Sequence, residues 1–259
     1  MNTTHPLRLA TGSHSAGSGK GCAMNVISWE NGDTTITDLP ACADVVLAKI
    51  VQRVNDTICT HRTGDLLCPA CSILVLDLAH RTVGTGTHPL TPLDRYRVWV
   101  WVAADQARQV AHLNNNPRAM AAIVAAETWS ESPNDVNASY AQNAGVYANA
   151  AAADGVRTPR AYASAKVINS AIATTAAAHA AYTAAYTYDA TTAAAHAAYT
   201  AACSANAVYI AESTANAAHA KLELAHRAID VWIERAQFTP TTTSTEVTEA
   251  AIECMLATT

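Results

Sequence analysis

Four potential metal ligands lie close together in the segment CTHRTGDLLCPAC, namely Cys59, His61, Cys68 and Cys71. Thiolate and imidazole are the donors that tetrahedral Zn²⁺ prefers, and two cysteines two residues apart can hold one ion, with Pro69 fixing the turn between them. We therefore predict a structural zinc site. Only one residue separates Cys59 from His61, which is an unusual spacing, so His80 or Cys42 could replace His61. Reduced cysteines without metal are the alternative interpretation.

A glycine-rich segment, GSHSAGSGKGCAMN, has the general look of a phosphate-binding loop. However, Lys20 is followed by Gly21 and not by Ser or Thr, the glycine spacing is wrong, and no hydrophobic strand precedes the segment. We therefore interpret it as a flexible lead-in to Cys22. His14 and Cys22 are possible additional metal ligands.

Patterns typical of enzymes are missing from the sequence. It has no HExxH helix, no HxE pairing and no GxSxG nucleophile turn, so it offers no complete set of nucleophile, base and cofactor loop. The prediction leans against an enzyme. The alternative is a metal-dependent enzyme with a zinc centre in the segment from Cys59 to Cys71, which would need an open coordination position.

A second group of chemistry-bearing residues comes from an internal duplication, TTAAAHAAYTAA, which begins at Thr174 and again at Thr191. On a helix, residues three and four apart share a face, so each copy carries a His and Tyr stripe on an alanine background. The predicted ligand surface consists of His179, Tyr182, His196 and Tyr199. These side chains offer stacking and hydrogen bonds to a small molecule, and simple packing is the alternative. His179, His196 and His219 could also meet in a bundle and bind a metal ion, but no Glu lies at the spacing that carboxylate-bridged bundles use, so we interpret them as packing or solvated residues.

Composition limits the partners. The chain has a net charge of −5, and its Lys and Arg residues do not cluster, so we expect no nucleic acid partner. The alanine-rich stretch is interrupted by charged and polar residues, and the N-terminus lacks a signal-peptide core, so we expect a soluble, cytoplasmic protein that binds no membrane. In a reducing cytosol the seven cysteines are expected to be thiols, with Cys203 and Cys254 as ordinary core residues.

Hydrophobic periodicity predicts helices in five segments outside the duplication: DVVLAKIVQRVND, CSILVLDLAHRTVGTG, LDRYRVWVWVAADQARQVAHL, PRAMAAIVAAETW and KLELAHRAIDVWIERAQF. The predicted zinc site would join the first two. Residues 22–37 fit either a helix closed by Gly32 or a hairpin turning at Asn31-Gly32, with the helix slightly favoured. A break near Tyr188-Asp189 is expected because one straight helix would point the two duplicated stripes in different directions.

Together these elements predict a mostly α-helical protein, a helical bundle with a small zinc-stabilised N-terminal module and long alanine-rich helices. The predicted organisation has three parts. Residues 1–88 form the Cys- and His-containing helical module, and residues 89–238 form the bundle, with the alanine-rich repeat region at about 133–220. Residues 239–259 form a Thr-rich linker and a short C-terminal helix.

The segments HSAGSGKGCAMNVISWENGDTTITDLPACAD, LAKIVQRVND and AHRTVGT, followed by an Ala-, Tyr- and His-rich half, resemble an uncharacterised group of proteins from actinobacteria and their phages. The resemblance rests on motifs in the first third and on composition in the remainder. It implies no activity. It also implies that more distant members keep Cys22, Met24, Asp38, Pro40, Cys42 and Asn55-Asp56 without the Cys68-Cys71 knuckle, so zinc would be an addition to an existing helical scaffold.

The sequence favours a non-enzymatic binding or assembly protein, phage-borne if the resemblance holds, that presents its alanine-rich helices to a protein partner or to copies of itself. The motivation is long helices of small residues with a repeated His and Tyr stripe. The alternatives are the zinc enzyme, a small-molecule-binding protein of the sponge type, and an immunity or anti-defence protein. The last is included because the composition of the alanine-rich half resembles that of bacterial immunity proteins.

Overall fold

A computed structural model of the chain describes residues 8–12, 14, 20–113, 116–155, 165–185, 190–211 and 214–240. These residues divide into two compact units. The N-terminal unit holds the described residues up to His88, and the helical unit runs from Pro89 to Phe238. The short C-terminal helix predicted within residues 239–259 lies outside the described residues.

The protein is mostly α-helical, as the sequence predicts. The described residues of the N-terminal unit form helices α1 (Ala23–Glu30), α2 (Val45–Thr57) and α3 (Pro69–His80). Those of the helical unit form α4 (Pro92–Gln109), α5 (Pro117–Glu131), α6 (Asp135–Gly155), α7 (Ala165–Ala185), α8 (Ala190–Ala211) and α9 (Thr214–Ala236). Within the described residues, β-structure is limited to isolated bridges.

The region from 22 to 37 adopts the helical alternative. Helix α1 ends at Glu30, and the following Gly32 has a φ of +78°, a left-handed conformation that glycine adopts without steric cost. Asn31-Gly32 therefore closes a helix here instead of turning a hairpin.

Buried amides hold the loops of the N-terminal unit around α1. The Asn55 side chain donates to the carbonyl oxygen of Ala10 at 2.8 Å and accepts from the Ala23 amide at 3.3 Å. The Asn25 side chain accepts from the Cys22 amide at 3.0 Å and donates to the Asp38 carboxylate at 2.9 Å. Since an unsatisfied buried amide is costly, these bonds fix the loop positions. Cys22, Asp38 and Asn55, singled out in the sequence, thus have structural roles.

The helical unit is built around α7, which lies against α4, α5, α6 and α8. Its described buried face consists largely of alanines, including Ala173, Ala176, Ala177, Ala180 and Ala184. Helix α4 contacts α5, α7, α8 and α9, and supplies the larger side chains of this core. Trp99 on α4, Trp129 on α5 and Trp232 on α9 are buried.

One buried polar residue connects three helices of this unit. The Gln106 side chain on α4 donates to the carbonyl oxygen of Leu224 on α9 at 3.0 Å, while the Gln106 carbonyl accepts from the Ser204 hydroxyl on α8 at 2.9 Å. Hydrogen bonds of this kind fix the register of helices whose small side chains would otherwise slide.

The alanine-rich duplication forms two helices. Helix α7 ends at Ala185, α8 begins at Ala190, and the two pack against each other, so the duplication does not form one straight helix. The break expected at Tyr188-Asp189 itself lies outside the described residues. No helix within the described residues combines the length and the apolarity that crossing a bilayer requires.

Gly86 lies too close to neighbouring backbone to carry a side chain. A Cβ there would lie 2.3 Å from the Ala41 carbonyl oxygen and 2.7 Å from that of Ala43. We predict that Gly86→Ala lowers the free energy of unfolding by about 1–3 kcal/mol, because the backbone must move to relieve the overlap. Chemical denaturation of the full chain measures this. The neighbouring exposed Thr87→Ala is the control, and equal stability of both variants would contradict the prediction.

Candidate metal centre

Three of the predicted metal ligands converge in the N-terminal unit. One ligand atom from each of Cys59, Cys68 and Cys71 lies within 4.8 Å of the others, and we call these residues the cysteine cluster. Cys59 follows the end of α2 and is buried, whereas Cys68 and Cys71 are half-buried at the start of α3. The cluster therefore joins two helices, as the sequence predicts.

A tight turn returns the chain from Cys59 to Cys68. Thr63 and Leu66 form two backbone hydrogen bonds, of 3.0 and 3.2 Å, across Gly64 and Asp65. Gly64 has a φ of +64°, which a two-residue turn of this kind requires. The segment after the turn pairs with the N-terminal segment, because the Leu67 amide donates to the carbonyl oxygen of Leu9 at 2.8 Å.

The start of α3 provides amide donors to the thiols. Cys68 is the N-cap residue and Pro69 occupies the first turn, where its missing N–H costs nothing. The Cys68 amide donates to the sulfur of Cys59 at 3.3 Å. The backbone amide of Cys71 lowers the pKa of the Cys68 thiol, whereas burial and the neighbouring thiols raise the pKa of Cys71 to about 12. Cys68 therefore ionises more readily than Cys71, whose ionisation needs a compensating positive charge.

This arrangement fits a metal ion. Sulfur atoms around a tetrahedral Zn²⁺ lie about 3.8 Å apart for bonds of about 2.3 Å, which is compatible with the spacing of the cysteine cluster. A divalent cation would supply the positive charge that ionisation of all three thiols needs, and amide-to-sulfur hydrogen bonds commonly support such ligands. The cluster can therefore hold a metal.

His61 is not part of the cysteine cluster. Its side chain is exposed, and its Nδ1 lies 3.2 Å from the hydroxyl of the adjacent Thr60. His61 is therefore not among the ligand atoms that lie within 4.8 Å of one another. Its role as a fourth ligand stays a prediction.

His80 and Cys42, the alternatives to His61 as the fourth ligand, also lie outside the cysteine cluster. His80 Nε2 pairs with the Glu30 carboxylate at 2.8 Å. Cys42 is buried where its carbonyl accepts from the Gly84 and Gly86 amides, and burial raises the pKa of its thiol. Burial likewise raises the pKa of Cys22 to about 11, so both thiols stay protonated near neutral pH.

The four residues of the predicted ligand surface lie together in the helical unit. The Nδ1 atoms of His179 on α7 and His196 on α8 are 2.8 Å apart. The Tyr199 ring centroid lies 4.4 Å from that of His179, and the Tyr182 centroid lies 5.4 Å from that of His196. The two duplicated stripes therefore meet at one place, between the two helices that carry them.

Two features of the helical unit escaped the sequence interpretation. Gly145 on α6 makes room for the Tyr182 ring, since a Cβ there would lie 2.8 Å from the ring. Helix α6 also exposes several large apolar side chains, among them Tyr140 and Tyr147. The lack of any charged residue from Val136 to Ala153 was a signal that could have identified this surface.

No protein-family model, curated protein or solved structure gives a significant match to this chain. The resemblance to actinobacterial and phage proteins therefore stays an expectation from the sequence.

We predict that the purified protein binds one equivalent of a thiolate-preferring metal ion, and that Cys68→Ser and Cys71→Ser each lose it, because two remaining thiols hold the ion poorly. Elemental analysis after dialysis measures the content. Cys203→Ser, which alters a buried cysteine of the helical unit, is the control. Metal-free wild-type protein after growth in zinc, or full metal content in the Cys68 variant, would contradict the prediction.

The pairing of His80 with Glu30 predicts a pH-dependent stability. Burial disfavours the charged imidazole, but the bond to Glu30 outweighs it and the pKa of His80 is raised. The stabilisation is therefore complete below the unfolded pKa of about 6.5 and disappears as pH rises through the folded value. We expect His80→Gln to lower the free energy of unfolding at pH 5.5 by under about 1 kcal/mol, with no effect at pH 9. Denaturation curves at both pH values test this.

Glu30→Gln provides the matched variant for that experiment. If the pair accounts for the effect, both single variants lose the same stability at low pH, and the double variant loses no more than either. A loss in His80→Gln that is equal at both pH values would show that packing, not the ion pair, causes it.

Proposed function

We propose that this chain is a non-enzymatic assembly protein that associates with a second copy of itself through helix α6, with a zinc ion at the cysteine cluster stabilising the N-terminal unit. The observation that carries the proposal is a row of exposed apolar side chains on α6. We call Val136, Tyr140 and Tyr147 the α6 stripe.

The residues of the α6 stripe are four and seven positions apart, so they follow one side of the helix. Tyr147 is 63 % exposed and Val136 is 77 % exposed. Met120 and Val124 on the neighbouring α5 are exposed as well. Several exposed apolar side chains on one side of a helix are typical of interaction sites, whereas single ones are ordinary.

The chemistry around the stripe suits a close helix partner. No charged residue occurs on α6 from Val136 to Ala153, and its other exposed positions in this range are Val146 and small or amide side chains. Because this helix face carries no charge, covering it with another helix does not incur the cost of desolvating a charged group, and its alanines allow close approach. These features favour a helix as the partner over a charged surface.

The spacing favours a second copy of the same chain. In an antiparallel pair of α6 helices centred between Asn143 and Ala144, Tyr140 of each copy lies opposite Tyr147 of the other. Such a two-fold interface is self-complementary, as closed dimers require. Between α5 and α6 runs a groove of about 360 Å³, bordered by Arg118, Ala121 and the two tyrosines. The groove can receive an aromatic ring, and Arg118 can lie over its face.

The donor set supports a structural zinc more than a catalytic one. Three thiolates give a zinc complex a net negative charge, which disfavours ionisation of a bound water and therefore weakens the alternative of a zinc hydrolase. A structural ion fits the size of the N-terminal unit, since small units rely on such links to supplement a limited core.

We predict that the wild-type chain is a dimer at micromolar concentration and that Tyr147→Lys is a monomer. In the proposed pair each lysine would lie opposite Tyr140 of the other copy, where its charge would be desolvated without an acidic partner. Size-exclusion chromatography with light scattering measures the mass directly.

Leu93→Lys on α4 is the matched control, because Leu93 is 50 % exposed and lies outside the α6 stripe. This variant should remain dimeric. A monomeric wild type, or a Tyr147→Lys variant that stays dimeric, would contradict the proposed assembly surface.

A separate prediction concerns zinc. Removal of the ion by a chelator at neutral pH should lower the first thermal transition by at least about 5 °C, and added Zn²⁺ should restore it, whereas Mg²⁺ should not. Differential scanning calorimetry with and without the chelator tests this. An unchanged transition would exclude the stabilising role and leave the dimer proposal unaffected.

A further inference from the structure

His179 and His196 face each other at the centre of the α7–α8 hairpin, and we call them the histidine pair. Their ring centroids are 5.0 Å apart and their Nδ1 atoms are 2.8 Å apart. Neither ring takes part in the cysteine cluster or the α6 stripe, so the pair needs its own explanation.

The hairpin brings the two rings together. His179 lies six residues before the end of α7 at Ala185, and His196 lies six residues after the start of α8 at Ala190. In an antiparallel hairpin, residues equally far from the break face each other. Buried Ala180 and Ala197 beside them let the helices approach closely enough for the rings to meet.

Two arrangements are compatible with this distance. In the first, one ring carries its proton on Nδ1 and donates it to Nδ1 of the other ring. In the second, both rings carry their protons on Nε2, and both Nδ1 lone pairs point at a shared cation. Moving from the first to the second transfers one proton from Nδ1 to Nε2 through solvent, and a bound cation takes the place of the bridging proton. No proton is released overall.

The separation indicates which cation fits. Two nitrogen ligands bound at about 2.0 Å and at right angles lie about 2.8 Å apart, whereas a tetrahedral ion would place them about 3.3 Å apart. Right angles between neighbouring ligands are typical of Cu²⁺ and Ni²⁺, and Cu²⁺ binds imidazole more tightly. We propose that the histidine pair is a bidentate site for a tetragonal divalent transition-metal ion, with Cu²⁺ preferred over Ni²⁺ and Zn²⁺.

The surroundings keep the ligands available. Burial, together with the neighbouring His196, lowers the pKa of His179 to about 4, and burial lowers that of His196. Both imidazoles are therefore neutral at pH 7, and protons do not compete for the lone pairs.

Two tyrosines flank the pair. The Tyr182 ring lies edge-on to His179 at 5.6 Å and fits against Gly145, and the Tyr199 ring centroid lies 4.4 Å from that of His179. Both histidines are half-buried and Tyr199 is 51 % exposed, so the pair lies near the surface of the unit, where water could complete the coordination of a bound ion. Prepositioned ligands lose little freedom when the ion binds.

The test uses the full chain without a histidine tag, with the cysteine cluster first filled by Zn²⁺. Titration calorimetry with Ni²⁺, which thiols do not reduce, should give one additional site. His179→Gln and His196→Gln should each weaken it at least about tenfold. His219→Gln, at an exposed histidine on α9, is the control and should bind as the wild type does. An unchanged affinity in either pair variant, or no additional site, would show that the pair is only a hydrogen bond.

A second measurement does not depend on the variants folding. Cu²⁺ added to the zinc-filled wild type should give a tetragonal electron paramagnetic resonance spectrum whose electron spin-echo modulation reports two imidazole nitrogens. A spectrum of bound Cu²⁺ without imidazole modulation would overturn the proposal. Because neither histidine belongs to the α6 stripe, this result tests the metal site separately from the proposed dimer.

Discussion

Close approach between alanine-rich helices is the constraint on which the helical unit depends. An alanine side chain buries little apolar area, so such helices gain enough stabilisation only when they pack tightly along much of their length. Helix α7 meets this condition by lying against four other helices with its alanines buried. Because α6 and α7 pack closely, the large Tyr182 ring fits between them only where Gly145 carries no side chain. The same packing forces His179 and His196 into contact.

The N-terminal unit is stabilised by different interactions. It is small, and buried amides such as Asn55 and Asn25 fix its loops through hydrogen bonds instead of apolar contacts. The three thiols at the start of α3 add a second constraint, because an ion held there would tie the end of α2 to the beginning of α3. In each unit the side chains that could bind a metal therefore lie where two helices come together, α2 and α3 in the N-terminal unit and α7 and α8 in the helical unit.

Helical periodicity was sufficient to predict the fold class and the meeting of α2 and α3 at the cysteines, because both depend on local spacing. The convergence of Cys59, Cys68 and Cys71 follows from a CPAC motif at a helix start and a two-residue turn, which are also local. The position of His61 depends on the direction of a turn, which spacing does not define. The exposure of Tyr140 and Tyr147 depends on which face of α6 the rest of the bundle covers. Because alanine occurs on most sides of this helix, its sequence does not show which face is buried.

Native-state hydrogen exchange tests the central claim that the alanine-rich helices form a tightly packed core around α7. The account predicts that amides between Ala173 and Ala184 are among the slowest in the helical unit and exchange only through global unfolding of that unit, with the same dependence on denaturant. Exchange of these amides within minutes at neutral pH, well before the unit unfolds, would contradict it.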